Sequence, residues 1–392
     1  MKRSTEFLKS LDVKLILILC VLCVTSITAI YSSQQTGQYG AENFAMKQGI
    51  NYIIGVVLLL LVASIDLDQL QKLSWPLYIA GFVSIVILKI LPVSSFTPEI
   101  LGAKRWFRFP AIGAIQPSEF FKIALLMLVA SLAVKHNAKY MVRTFQTDLI
   151  LVGKIILVSI PPSLFVYSQP DTGMVFLYAA AIACILFMSG IQKKLIALCT
   201  VIPVTILSTL IFIYVKYPDI FFNKLVTLLK PHQQSRILGW LAPFEHTDQG
   251  YQTQQSILAV GSGGMDGKGF GYGNVYIPEK HTDFIFATIA EEGGFIVAAL
   301  VVFMFLLLLY RTIIIGYSAE NLFGTLLCAG VIGVLTLQIF QNIGMIVGLM
   351  PVKGIALPFL SYGGSSLFSN MMMMGLVLSV RKTYKKYMFS VK

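Results

Sequence analysis

Charge is what this sequence has least of. Asp, Glu, Lys and Arg make up 12% of its 392 residues and hydrophobic side chains 56%, whereas an ordinary soluble domain carries about 25% charged residues. A water-facing globular fold is therefore excluded. Acids are the scarcer half, 18 against 30 Lys and Arg, for a formal charge of +12. No aromatic-interleaved basic stripe or helix-turn-helix accompanies that excess, so it points to an anionic membrane surface and not to nucleic acid. The five cysteines, Cys20, Cys23, Cys184, Cys199 and Cys328, all lie inside apolar runs. Cys20 and Cys23 form a CxxC, but with no histidine or further cysteine beside it the pair reads as packing. No small-x-small cleavage site follows the first apolar run, so no signal peptide is expected. The alternating pattern of a lipid-facing barrel is missing. No compositional break divides the chain, and residues 1–392 read as a single membrane domain.

What the sequence holds instead is long apolar runs, near 14–31, 48–65, 75–91, 120–134, 149–168, 173–190, 195–215, 284–310, 322–350 and 359–380. Most approach the roughly 20 residues that cross about 30 Å of hydrocarbon, and a helix satisfies every backbone amide within one segment. The pattern predicts an all-α polytopic membrane protein with ten transmembrane helices. An even count puts both termini on one side. Lys2, Arg3, Lys9 and Lys14 at one end and Arg381, Lys382, Lys385, Lys386 and Lys392 at the other make that side cytoplasmic. Lys135, Lys139, Arg143, Lys193, Lys194 and Arg311 fall on the same face. Two long segments then face outward, 91–117 and 216–283, the latter a large extracellular loop between the seventh and eighth helices. Within it, Phe221, Phe222, Leu225, Leu228 and Leu229 are spaced to lie along the interface.

The polar residues gather on this outward side. GSGGMDGKGFGYG, 261–273, is no phosphate cradle: Lys268 is followed by Gly269 where a Walker loop needs Ser or Thr. It reads either as a flexible loop or as backbone that must pass close to something. GAKRWFRF, 102–109, brings Lys104, Arg105 and Trp106, and QPSEFFK, 116–122, puts Glu119 and Lys122 on one helix face, where charges are costly and usually line a cavity. Asp171 of QPDTG is as good a helix cap as a ligand contact. Arg236 and Trp240 either anchor their helix at the headgroups or place Arg236 on a phosphate. PVKGIALPFLSYGGSS, 351–366, with Ser361 and Ser365, interrupts an apolar region in the way of a broken or re-entrant segment. Gln338 and Asn342 point inward on the preceding helix. In YIPEKHTDF, 276–284, Asp283 is either a helix cap or a reactive carboxylate, with Glu279, Lys280 and His281 beside it. Cations on this face suit a pyrophosphate, and a semi-buried carboxylate suits proton abstraction from a hydroxyl.

GAKRW, QPSEFFK, QPDTG, YIPEKHTDFIFA with the EEGG after it, and PVKGIALPFLSYGGSS together resemble the SEDS family of shape, elongation, division and sporulation proteins, and its RodA-like elongation branch more than its division branch. The resemblance implies a peptidoglycan glycosyltransferase that polymerises lipid II into β-1,4 glycan on the outer face of the cytoplasmic membrane. It implies a class B penicillin-binding protein and the elongation machinery as partners. It puts the catalytic aspartate on Asp283, the charged pair on Glu119 and Lys122, and the arginine-tryptophan element on Arg105 and Trp106. Lys104, Asp171, Arg236, His281, Ser361 and Ser365 are then candidates to bind the pyrophosphate or support those that do. No tightly bound cofactor is expected, and the leaving group's charge is compensated by these cations with or without a divalent ion, Mg or Mn. A lipid II flippase and a non-catalytic scaffold for the penicillin-binding protein are the rival readings.

Overall fold

The computed structural model describes residues 12–35, 37–40, 42–100, 102–109 and 113–388. The terminal charges Lys2, Arg3, Lys9 and Lys392 lie outside them. Each apolar run is a helix: α1 Val13–Gln35, α2 Phe44–Ser64, α3 Leu67–Ile90, α4 Pro117–Lys139, α5 Phe145–Ser168, α6 Thr172–Met188 and α7 Lys193–Lys216. After short helical turns over 218–228 come α8 Pro231–Leu241 and α9 Thr247–Ser262, then α10 Ile285–Tyr317, α11 Leu322–Ile346 and α12 Gly364–Met388. Among the described residues eight of these are long and apolar enough to cross a membrane; α6, with 17 residues, is shorter, and α12 stands outside the eight. The long segment 216–283 is thus largely helical, and 91–117 carries a small antiparallel ribbon, β1 Phe107–Phe109 against β2 Gly113–Ile115.

Helix ends follow local chemistry. Thr144 and Thr147 form a reciprocal capping box that starts α5 ahead of its apolar run. Asn43 caps α2 through the Met46 amide and Asn321 caps α11 through the Phe323 amide. Gly348, at φ +78°, ends α11 short of the predicted 350. The last helix begins at 364 rather than 359, because Pro358, Phe359 at φ +65° and Gly363 at φ +157° keep the chain irregular. That irregular stretch is buried, as its depth requires: Ser26 and Gln48 donate to the carbonyls of Leu360 and Ser361 at 2.8 and 3.1 Å, and the Tyr52 hydroxyl to that of Phe359.

Burial divides the helices sharply. In its most apolar stretch α4 is 83% buried, α2 28% and α7 0%. α4 is the axis of the bundle, packed against α3, α5, α6, α11 and α12, so whatever its first turn carries is held by the most rigid element present. At the other end of the bundle the Asp12 carboxylate takes Arg311 Nε at 3.0 Å and Nη2 at 2.5 Å and lies 3.6 Å from Arg381, joining the ends of α1, α10 and α12.

The glycine-rich loop does make a close approach, and its target is the backbone of α10. α10 is broken at Gly294, φ +66°, and the loop docks into the break: the amides of Lys268 and Gly269 donate to the carbonyls of Glu291 and Glu292 at 3.1 and 3.0 Å. A Cβ on Gly267, itself at φ +79°, would stand 2.1 Å from the Glu292 carbonyl oxygen. Gly267→Ala is therefore expected to destabilise the protein by on the order of 2–3 kcal/mol, strain and clash together. Gly261→Ala, whose added carbon meets nothing within 4 Å, should leave the melting temperature in detergent unchanged. Equal melting of the two variants would refute the docking role.

Candidate active site

A cavity of about 920 Å³ opens where the N-terminal ends of α2, α4, α6 and α10 meet the C-terminal end of α11, at the opposite end of α4 from the basic turn around Lys139 and Arg143. Its walls include Arg105, Trp106, Glu119, Asp171, Arg236, Asp283 and Ser365. Residues far apart in the chain thus share one space. Lys104, Lys122, His281 and Ser361 stand outside that lining.

Asp283 reaches the cavity because its neighbours are tied elsewhere. Glu279 is at φ +56°, and its carbonyl and carboxylate accept from the amide and hydroxyl of Thr282 at 3.1 and 3.0 Å, a tight local turn. Lys280 is fully buried and pairs with Glu291 at 3.0 Å. Glu291 also takes Lys268 at 2.7 Å and the amides of Asn274 and Val275 at 2.8 and 3.0 Å, so it is a structural acid that clamps the glycine-rich loop. His281 packs between Phe44 and Tyr362, ring centroids 4.4 and 5.4 Å away, with Tyr39 at 4.4 Å; burial keeps its imidazole below its ordinary pKa, and it braces the turn. Ser361 Oγ donates to the Thr282 carbonyl at 2.7 Å, and Asn342 Nδ2 to the carbonyls of Asp283 and Ile355 at 2.8 and 2.9 Å, the inward hydrogen bonds expected of Asn342. The capping alternative for Asp283 is not realised: α10 starts at Ile285 and Phe284 precedes it with no side-chain cap. The carboxylate is left for the cavity. Gly354 lies beside it, where a Cβ would come within 3.3 Å of Oδ2.

Burial pushes the Asp283 carboxyl up to about 6; Glu279 adds to that, while Arg236 and Arg105 hold it down. A group titrating there exchanges protons at working pH. Glu279→Gln removes a like charge, so the ionised form is favoured and the acid limb of any Asp283-dependent activity should move to lower pH. A pH profile of kcat/KM measures it; a limb that stays put or rises would show that Glu279 does not act on Asp283.

Two of the cations, Arg105 and Lys104, are fixed by backbone carbonyls. Arg105 donates Nε to the Gln169 carbonyl at 3.0 Å and Nη2 to that of Pro170, and its guanidinium lies 5.9 Å from the Trp106 ring centroid. Lys104 is turned away, donating to the carbonyls of Lys89 at 3.2 Å and of Leu91. Asp171 caps α6 through the Met174 amide at 3.3 Å, and its other oxygen accepts from Gln116 Nε2 at 2.7 Å and Ser118 at 3.3 Å. Burial raises its pKa and Arg105 opposes this, so Asp171 serves both as cap and as wall. Glu119 holds Lys122 at 2.5 Å and accepts from Ser369 at 2.8 Å. Ser365 accepts from the Gln116 amide and donates to the Ala114 carbonyl, both at 3.0 Å, fastening the ribbon to α12. The Trp240 indole N–H donates to the Gly348 carbonyl at 3.0 Å, docking α8 so that Arg236 overhangs the cavity.

Lys353 lies between two wall residues, Val352 and Gly354, and is itself outside the lining. Its ammonium lies 3.7 Å from the Phe176 ring centroid, and burial, aided by Arg236, lowers its pKa to about 8. Its one signal in the sequence is its place in PVKG, among the outward polar motifs. Among the described residues no three His, Cys, Asp or Glu side chains converge as a metal site.

Known proteins resemble this chain along most of its length. The family model described as Cell cycle protein, covering FtsW, RodA and SpoVE, matches residues 8–386. The peptidoglycan glycosyltransferase MrdB of Escherichia coli K12 is 32% identical over 96% of this chain and 94% of its own length. The FtsW of Geobacter metallireducens is 33% identical over 87% and 86%. The rod shape determining protein RodA of Thermus thermophilus shares the fold, with a TM-score of 0.65 at 22% identity over 95% of this chain and 96% of that one. So does a chain of a peptidoglycan synthase complex that coordinates polymerisation and crosslinking, TM-score 0.71 at 24% identity over 95% and 98%. With its motifs in order along the chain, its helices in that fold and a family match from end to end, this membrane protein belongs to the FtsW, RodA and SpoVE family of cell cycle proteins.

Proposed function

We propose that the protein is an inverting peptidoglycan glycosyltransferase of the cytoplasmic membrane that polymerises lipid II for cell elongation. The observation that carries the proposal is the single cavity in which Asp283, with its pKa raised to about 6, faces the field of Arg236 and Arg105. Ten spans, α1 to α7 and α10 to α12, then place this cavity on the outer face, with the basic turns inside. The elongation role rests on YIPEKHTDF and PVKGIALPF.

In the proposed step the 4-hydroxyl of the acceptor N-acetylglucosamine attacks C1 of the donor N-acetylmuramic acid. The new C1–O bond forms as the bond from C1 to the pyrophosphate oxygen breaks, and undecaprenyl pyrophosphate leaves with the bonding pair. Attack opposite the leaving group turns the α linkage into a β-1,4 glycoside. Asp283 takes the hydroxyl proton, because a sugar alcohol is a poor nucleophile at neutral pH. Pyrophosphate leaves without a protonating acid, unlike the leaving alcohol of a glycosidase; it needs charge compensation, which Arg105, held on the Gln169 and Pro170 carbonyls, and Arg236 supply. Glu119 and Lys122, neutralised by each other and seated in α4, keep the floor rigid. A divalent cation, if the reaction uses one, would be held chiefly by the substrate's own phosphates. A class B penicillin-binding protein is the proposed partner for crosslinking.

The test is polymerisation of lipid II by the purified complex with its penicillin-binding partner, run with transpeptidation blocked, beside a lipid II scramblase assay in proteoliposomes. Glycan polymer without scrambling supports the proposal. Scrambling without polymer from a folded, assembled complex would replace it with transport.

A further inference from the structure

A second cavity lies at the opposite end of the bundle and shares no residue with the first. It measures about 820 Å³, and Ala183 and Phe187 of α6, Ile196 and Cys199 of α7, Ile313 of α10 and Ala329 of α11 are among its walls. It exists because α7 stands apart: the helix packs on α5 and buries Leu195 alone among its residues, leaving a wedge between α7 and the α10–α11 pair. The wall is almost wholly apolar and lies at hydrocarbon depth, so water has no partners there and an empty wedge would forfeit its van der Waals contacts. Hydrocarbon chains suit such a wall.

The lip of the wedge is charged. Lys193 and Lys194 begin α7 and are exposed. Lys193 stands three and seven residues before Ile196 and Thr200, both in the wall, and so shares their face. Among the described residues no carboxylate pairs with either lysine. We infer that the wedge binds one anionic phospholipid from the leaflet on the basic side, its chains between α7 and α10–α11 and its phosphate on Lys193 and Lys194.

The free cysteines supply the readout. Cys199 is exposed in the wedge wall, while Cys20 is exposed on α1, outside it. The wild-type protein in detergent is alkylated with a lipid-soluble maleimide during titration with phosphatidylglycerol or phosphatidylcholine, and each cysteine is followed by peptide mass spectrometry. Phosphatidylglycerol is expected to protect Cys199 at roughly 30-fold lower concentration than phosphatidylcholine, since each of the two basic side chains near an anionic headgroup contributes on the order of 1 kcal/mol. Cys20 should be unaffected by either lipid. Lys193→Ser with Lys194→Ser, both exposed and outside the core, should erase the difference between the lipids. Equal protection by the two lipids on the wild type would overturn the headgroup assignment. Equal slowing of Cys199 and Cys20, or no protection of Cys199, would overturn the site itself, and so would protection that appears only when a partner protein is added.

Discussion

Asp283→Asn should reduce glycan polymerisation by about 10² to 10⁴-fold, the contribution of a positioned general base, while leaving folding and assembly with the penicillin-binding partner intact. The substitution keeps the shape of the side chain. Its backbone carbonyl still accepts from Asn342 Nδ2, and no cap is lost because the side chain caps nothing. Stability should move the other way from activity. A carboxyl whose folded pKa is raised to about 6 stabilises the fold fully only below its unfolded pKa, near 3.9; that contribution declines as pH rises and is gone above about 6. Asparagine does not ionise, so the variant should melt at or above the wild-type temperature at pH 8. Polymer formation at the wild-type rate by Asp283→Asn would sink the base assignment. Lost activity accompanied by lower melting would indicate a structural role instead.

Arg236→Ala should lower kcat/KM by about 10² to 10³-fold, the usual cost of removing one preorganised group that stabilises developing charge. It should also move the acid limb upward from about 6, because Arg236 is the stronger of the two cations holding the Asp283 carboxyl down. The pH shift distinguishes a charge facing the site from a docking contact, since the docking of α8 rests on Trp240 and the Gly348 carbonyl. Arg236→Lys, which keeps the charge without the bidentate fork, should recover the position of the limb more fully than the rate. An unmoved limb in Arg236→Ala would place the guanidinium outside the field of Asp283. Arg105 is the less informative target, because its guanidinium also satisfies the carbonyls of Gln169 and Pro170, and its loss would disturb the Asp171 turn as well.

The helices were legible from sequence alone because hydropathy over twenty residues is a local property and hydrocarbon permits no spanning backbone but one that bonds to itself. The same locality made Asn342 readable as inward-pointing and drew attention to YIPEKHTDF. Direction within that stretch was another matter. Side chains of an irregular loop follow no period, so only long-range packing decides that Lys280 turns in to Glu291, that His281 lodges among Phe44, Tyr39 and Tyr362, and that Asp283 is left for the cavity. Lys104 and Arg105 are adjacent in sequence, yet one is absorbed by carbonyls at the end of α3 and the other lines the site. Arg236 reaches the site by tertiary docking of α8. The glycine-rich loop needed its partner, the break at Gly294, before its glycines had a reason. Composition and periodicity determined that this chain is a bundle of membrane helices with its polar motifs at one end; which of those polar groups meet was decided by tertiary structure, because electrostatic and hydrogen-bond partners are chosen by distance in space and not along the chain.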